Sequence, residues 1–249
     1  MLPAAGIAFG SALVVLGIIN VQAAELRVLA GGGIAGPLKE IAAQFENATG
    51  HKLVIRFGTT PELIAMATGG PFDLGIVPTD VMKNANARAQ FAEGEMPTVA
   101  RVGLAVAVRA GAPRPNISTP EALKQTLLNA RAIASIPASA TGTQLAAVYE
   151  VLGIADEMKA KTKVQPNPAQ IIDAVARGEA DLAVFLLNVL TDPRLDVVGP
   201  FPAAVQREVV YTTALCVAAE EPQLAQAFVA YLLSPAASAI IKANGMTPG

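Results

Sequence analysis

Histidine and cysteine are almost missing from this 249-residue chain: His51 and Cys216 are the sole examples of each. One cysteine cannot form an internal disulfide. One histidine removes most metal-site and nucleophile–histidine schemes, so neither a metal nor a cofactor is expected. Charge is also scarce, at 15% of residues with a net value of −2 and no basic block, which excludes nucleic acid as the expected partner. What fills the chain is apolar. Hydrophobic residues make up 53%, enough for a sizeable core and too many for a disordered chain.

The first stretch reads as a targeting segment. Residues 2–24 carry no charged side chain, and Ile7 to Val21 is strongly apolar. Val21-Gln22-Ala23 offers small residues suited to cleavage before Ala24-Glu25, so residues 1–23 are expected to be a signal peptide and the protein to be exported. An apolar run of ~20 residues can also span a bilayer, so retention as an anchor stays open. The fold is expected to begin near Glu25.

The stretch around which the rest is organised is Ala30-Gly31-Gly32-Gly33-Ile34-Ala35-Gly36-Pro37. Before it, Leu26 to Ala30 has strand character. After it, Leu38, Ile41, Ala42 and Phe45 recur at helical spacing, and Gly50 closes that helix. A glycine run there turns backbone N–H groups outward at a helix N-terminus, which carries partial positive charge and unpaired donors. The plain alternative is a tight turn with no ligand.

The same device recurs. Gly58-Thr59-Thr60-Pro61-Glu62 follows the strand His51–Phe57, with Thr60 as expected N-cap and Pro61 in the first turn. Pro137-Ala138-Ser139-Ala140-Thr141-Gly142 follows the strand-like Ala132–Ile136 and opens the helix from Leu145 to Leu152. Further strands are expected at 72–77, 102–109, 182–187, 195–198 and 209–217, with closing helices near 222–232 and 235–243. Strands alternating with helices of this length predict a parallel α/β sheet.

Three features together resemble the extracellular solute-binding proteins of the molybdate-binding type that serve ABC importers. They are the run from Val28 to Asp80, Gly178-Glu179-Ala180-Asp181 before a buried strand, and the tail from Tyr231-Leu232-Leu233-Ser234-Pro235 to Gly245-Met246-Thr247-Pro248. The resemblance spans residues 25–249. It implies a type II periplasmic-binding-protein fold, α/β and two-lobed, with two crossing strands as hinge, at 102–109 and 209–217. Lobe 1 would hold residues 25–105 and 210–249, and lobe 2 residues 106–209. The implied partners are a small anionic ligand and an ABC transporter permease in the inner membrane. The protein itself would be a periplasmic monomer.

The resemblance also implies where the ligand sits. The family's first-loop serine falls at Gly33, beside Gly32, and its hydroxyl is lost. The second-loop serine falls at Thr59, with Thr60 adjacent. The third-loop backbone donor falls at Thr141, next to Gly142. A later helix start falls at Asn167-Pro168, where proline supplies no N–H. The family's tyrosine falls at Leu186, with Phe185 adjacent, and no tyrosine stands in 181–191. Each unmet oxygen of a buried anion costs ~1–3 kcal/mol, so these losses point away from molybdate and toward a partly organic anion.

Plain readings stand beside these. Thr59 and Thr60 can serve as helix caps, Phe185 to Leu187 as sheet core, and Arg109 as a solvated or hinge-paired arginine. Asp80 reads as a helix cap, His51 as a surface residue and Cys216 as a small buried hydrophobe. The leading expectation is a binding protein and not an enzyme, since no His–nucleophile or paired-carboxylate constellation stands in the loops. The alternatives are a lyase or isomerase acting on a small organic acid through Asp73 or Glu62, and the sensor domain of a regulator.

Overall fold

The computed structural model describes residues 23–249, so the expected signal peptide lies outside the described residues apart from its last one. From Glu25 onward, strands and helices alternate as the periodicity predicts. The first half holds β1 (Glu25–Gly31), a 3-10 turn over Gly32–Ile34, α1 (Ala35–Thr49), β2 (Lys52–Gly58) and α2 (Thr60–Gly69). It continues with β3 (Leu74–Pro78), a second 3-10 turn over Thr79–Lys83, and α3 (Ala85–Arg88). The long β4 (Thr98–Arg109) leads to α4 (Pro120–Asn129), β5 (Ile133–Ser135), α5 (Ala140–Leu152), α6 (Ala155–Lys161) and β6 (Thr162–Val164). Then come α7 (Pro168–Ala176), β7 (Leu182–Leu186), β8 (Leu195–Pro200), β9 (Glu208–Leu215), α8 (Pro222–Leu232), α9 (Pro235–Ala243) and β10 (Thr247–Pro248).

One path of strands, β2-β1-β3-β9-β4-β7-β5-β6, joins two half-sheets through β4. From Thr98 to Gly103, with Val99 left out at a register shift, β4 pairs with β9, and its later residues pair with β7 and β8. At that seam Gln206 imitates a backbone partner. It accepts from the Leu104 N–H at 2.9 Å and donates to the Leu104 carbonyl at 3.0 Å. The second crossing is therefore the run from Phe201 past Gln206 into β9.

The sheet is mixed, not parallel as predicted. Pairs β1–β2, β1–β3, β5–β6 and β5–β7 are parallel, whereas β9 and β4 run antiparallel to each neighbour. The alternation of strands and helices foretells the parallel part. It cannot reveal strands that cross between halves, because their partners are distant in sequence.

Burial explains the elements. In α1, Leu38, Ile41, Ala42 and Phe45 face the sheet, and Gly50 ends the helix at φ 74°, a left-handed position that glycine takes without strain. The core runs unbroken along β4, where Leu104, Ala105, Val106 and Ala107 have no solvent exposure. Cys216 is buried, as expected, and burial pushes its thiol pKa up. His51 is half-buried rather than a bare surface residue, since its Nδ1 accepts the Ala24 N–H at 3.1 Å. Asp80 does not cap a helix. It lies in the first turn of the second 3-10 run and pairs with Lys83.

Candidate functional site

The loops that follow β1, β2 and β5, together with the start of α7, meet at a cleft of about 410 Å³ between the two half-sheets. That volume suits a small molecule. Four helix starts converge on it. Gly32 and Gly33 precede α1, Thr59 and Thr60 open α2, Ser139 to Thr141 open α5, and Asn167 and Pro168 open α7. The first N–H groups of each helix have no acceptor within the helix, and each terminus acts as roughly half a positive charge. Phe57, Pro78, Ile136, Phe185, Leu186 and Tyr211 give the cleft its apolar walls.

The caps are built from local sequence. Thr59, not Thr60, is the N-cap of α2, one residue earlier than expected, with Pro61 in the first turn. The Glu62 carboxylate accepts from the Thr59 N–H at 2.7 Å and from its hydroxyl at 2.8 Å. These two donors hold the Glu62 carboxyl below its usual pKa. The Thr60 hydroxyl oxygen is buried and has no hydrogen-bond partner among the described residues. Ser139 caps α5 by accepting the Gly142 N–H at 3.1 Å, and Asn167 caps α7 by accepting the Gln170 N–H.

Of the residues singled out in the sequence, Gly32, Gly33, Thr59, Thr60, Thr141, Phe185 and Leu186 line the cleft. Gly142 does not. Its N–H is spent on Ser139, and a Cβ there would lie 2.0 Å from the Pro137 carbonyl oxygen, so this glycine serves packing at the start of α5. Phe185 and Leu186 combine both readings offered for them, being 3% and 1% exposed in the sheet core while reaching the cleft wall. Arg109 lies elsewhere, beside the Ala112–Pro115 turn.

Asp73 is also remote from the cleft. It is fully buried and accepts the Arg27 N–H, the Arg27 guanidinium and the Glu220 N–H, all within 3.0 Å. Burial pushes its carboxyl up, but these donors outweigh burial and leave it below its usual pKa. It is a structural anchor and no candidate for proton transfer.

In the sequence Glu62 stands out as one of two carboxylates for an enzymatic alternative, and Ser139 as part of the third small-residue loop. Tyr211 sits in an apolar strand and gives no local signal. Asn188, also without a local signal, joins the halves by donating from Nδ2 to the Gly33 carbonyl at 2.8 Å. Among the described residues lining the cleft, Glu62 and Tyr211 alone can titrate, and no arginine or lysine lines it. Lys39 stands nearby, its ammonium 5.6 Å from the centre of the Phe57 ring. No cluster of metal-ligating side chains occurs among the described residues.

The sequence matches the bacterial extracellular solute-binding proteins over residues 26–247. It is similar to a protein from a Pseudomonas species named aconitate isomerase, with 34% identity over 232 residues, 90% of this chain and 87% of that one. It is also similar to the molybdate-binding protein ModA of Azotobacter vinelandii, with 29% identity over 237 residues, 90% of each chain. In fold, the solved periplasmic molybdate-binding protein of that organism gives a TM-score of 0.71 at 24% identity, covering 90% of this chain and 99% of its own.

The isomerase relative corrects the expectation that this chain is not an enzyme. That expectation rested on a missing nucleophile–histidine pair and missing paired carboxylates. Moving one proton within a small acid requires neither, because one positioned carboxylate can remove the proton and return it.

Proposed function

The chain belongs to the bacterial extracellular solute-binding proteins of the molybdate-binding type, and on that premise we propose that its cleft binds a small organic polycarboxylate and isomerises it, with aconitate as the first substrate to test. The observation that carries this reading is the similarity, over nine-tenths of the chain, to a protein named for that reaction. The cleft supports it: four helix starts converge there, those of α2 and α7 each short of one N–H through a first-turn proline, apolar walls suit a carbon frame, and a single carboxylate, Glu62, stands among them.

Aconitate is a propene bearing three carboxylates. Removal of a methylene proton gives a carbanion delocalised over three carbons. Returning that proton to the other end moves the double bond and lets the geometry change. No oxidant, metal or second substrate is consumed. Glu62 takes the proton and returns it. Its basicity rises when ligand binds, since a Thr59 hydroxyl that turns to the ligand no longer donates to Glu62, and the neighbouring anion disfavours the charged carboxylate. The helix starts and the Thr60 hydroxyl hold the substrate carboxylates.

A second reading, capture of a small anion for an ABC permease in the periplasm, is favoured by the family itself. Under either reading lobe 1 comprises residues 25–105 and 210–249, lobe 2 comprises residues 106–209, and ligand favours the closed arrangement. The experiment is incubation of the purified protein with cis- and trans-aconitate, following interconversion by chromatography. Interconversion supports the isomerase. A ligand-induced rise in melting temperature without interconversion leaves the transport reading and removes the enzymatic one.

A further inference from the structure

The glycine run after β1 has a spatial cause that its sequence does not reveal. Neither Gly31 nor Gly33 adopts a positive φ, so the backbone does not demand glycine at either position. Space does. A Cβ on Gly33 would lie 2.3 Å from the Tyr211 hydroxyl oxygen and 2.5 Å from Leu186 Cδ1. A Cβ on Gly31 would lie 2.6 Å from Tyr211 Cε1 and 3.0 Å from Pro78 Cδ. Gly32, between them, would meet nothing closer than 3.8 Å. The two outer glycines thus form the seat of one side chain, which arrives from β9, across the intervening β3.

We propose that the Tyr211 hydroxyl is a ligand-binding group at the floor of the cleft, where it stands in for the serine hydroxyl that Gly33 lacks. Tyr211 lines the cleft, is 2% exposed, and makes no hydrogen bond to a described residue. Its hydroxyl oxygen is not fully enclosed but opens to the cleft, where a ligand can accept its hydrogen bond. Burial raises its pKa, so it stays neutral and donates. Leu186, where the resemblance places a tyrosine, touches the same spot. The hydroxyl therefore comes from the hinge strand, and the wall beside it is hydrocarbon. That pairing fits a small acid with one carboxylate on the floor and its carbon chain against Leu186. The inference rests on the reading that the cleft binds such an acid.

The test is calorimetric titration with trans-aconitate and, separately, molybdate, on wild type, Tyr211→Phe, Gly33→Ser and the double variant, each at a temperature where it is folded. Tyr211→Phe keeps the ring and removes the hydroxyl, so aconitate affinity should fall about 10- to 100-fold. Saturating ligand should perturb the tyrosine ultraviolet spectrum of wild type and not of this variant. Gly33→Ser alone should melt lower, because its Cβ meets the phenol oxygen. Adding Tyr211→Phe should relieve that contact, though not the one with Leu186, and so restore part of the stability and part of the affinity through the new hydroxyl. Wild type that binds aconitate no better than Tyr211→Phe overturns the inference and leaves the proposed function standing. Wild type that binds neither probe overturns the proposed function and the inference with it.

Discussion

At the scale of single residues, Glu62 meets two needs. It caps α2 through Thr59, and it is the carboxylate on the cleft wall. Glu62→Gln keeps a carbonyl oxygen for the Thr59 N–H but cannot take a proton. Turnover should fall about 10²- to 10⁴-fold, while ligand still raises the melting temperature. Asp73 is the contrasting carboxylate. Its pKa is depressed below the unfolded value of about 3.9, so the stability it supplies is complete above that value and is lost as pH falls through the depressed one. Asp73→Asn should cost about 3 kcal/mol at neutral pH. For a chain of this size that is roughly 6–12 °C in melting temperature. The deficit should shrink when unfolding is followed near pH 3, and an equal deficit at both pH values would exclude this charge-based account. Both were named from the sequence as carboxylates for an enzymatic alternative, with nothing to separate them. Glu62 and Asp73 looked equivalent because the Arg27 that separates their fates lies 46 residues before Asp73.

At the scale of elements, helix starts were the most legible feature because capping is local chemistry. Thr119-Pro120, Asn167-Pro168 and Ser234-Pro235 each carry an N-cap side chain followed by a first-turn proline, and each opens a helix. The loops that compose the cleft were visible for the same reason, as small-residue runs between a strand and a helix. Tyr211 and Gln206 were not, since both act across the sheet on strands far away in sequence. The start of α5 separates packing from capping. Gly142→Ala should be the more damaging change, about 2–4 kcal/mol, because its Cβ meets the Pro137 carbonyl and the helix start must move. Ser139→Ala removes one cap and should cost about 1 kcal/mol. Thermal unfolding of the two variants ranks them, and the reverse order would refute the packing role given to Gly142.

At the scale of the whole molecule, the half-sheets meet along β4, and the Asn188–Gly33 hydrogen bond ties them beside the cleft. Asn188→Ala should favour the open arrangement. Its unliganded radius of gyration by small-angle scattering should increase, and ligand affinity should weaken about 2- to 10-fold. An unchanged radius with unchanged affinity would remove Asn188 from closure. The alternation of strands and helices was readable from the chain itself, whereas the two-lobed arrangement came only with the resemblance to the solute-binding family. The role proposed for Glu62 was not readable, because one carboxylate among many gains chemical meaning only when three other loops surround it. The central claim is that this surrounded carboxylate moves a proton within a small acid. Its most direct test is proton nuclear magnetic resonance of trans-aconitate incubated with the purified protein in heavy water. The cis isomer should grow in, its methylene carrying the transferred proton or, where the Glu62 carboxyl exchanges with solvent before returning it, deuterium; with Glu62→Gln it should not. Trans-aconitate that remains unchanged in the presence of folded wild-type protein would contradict it.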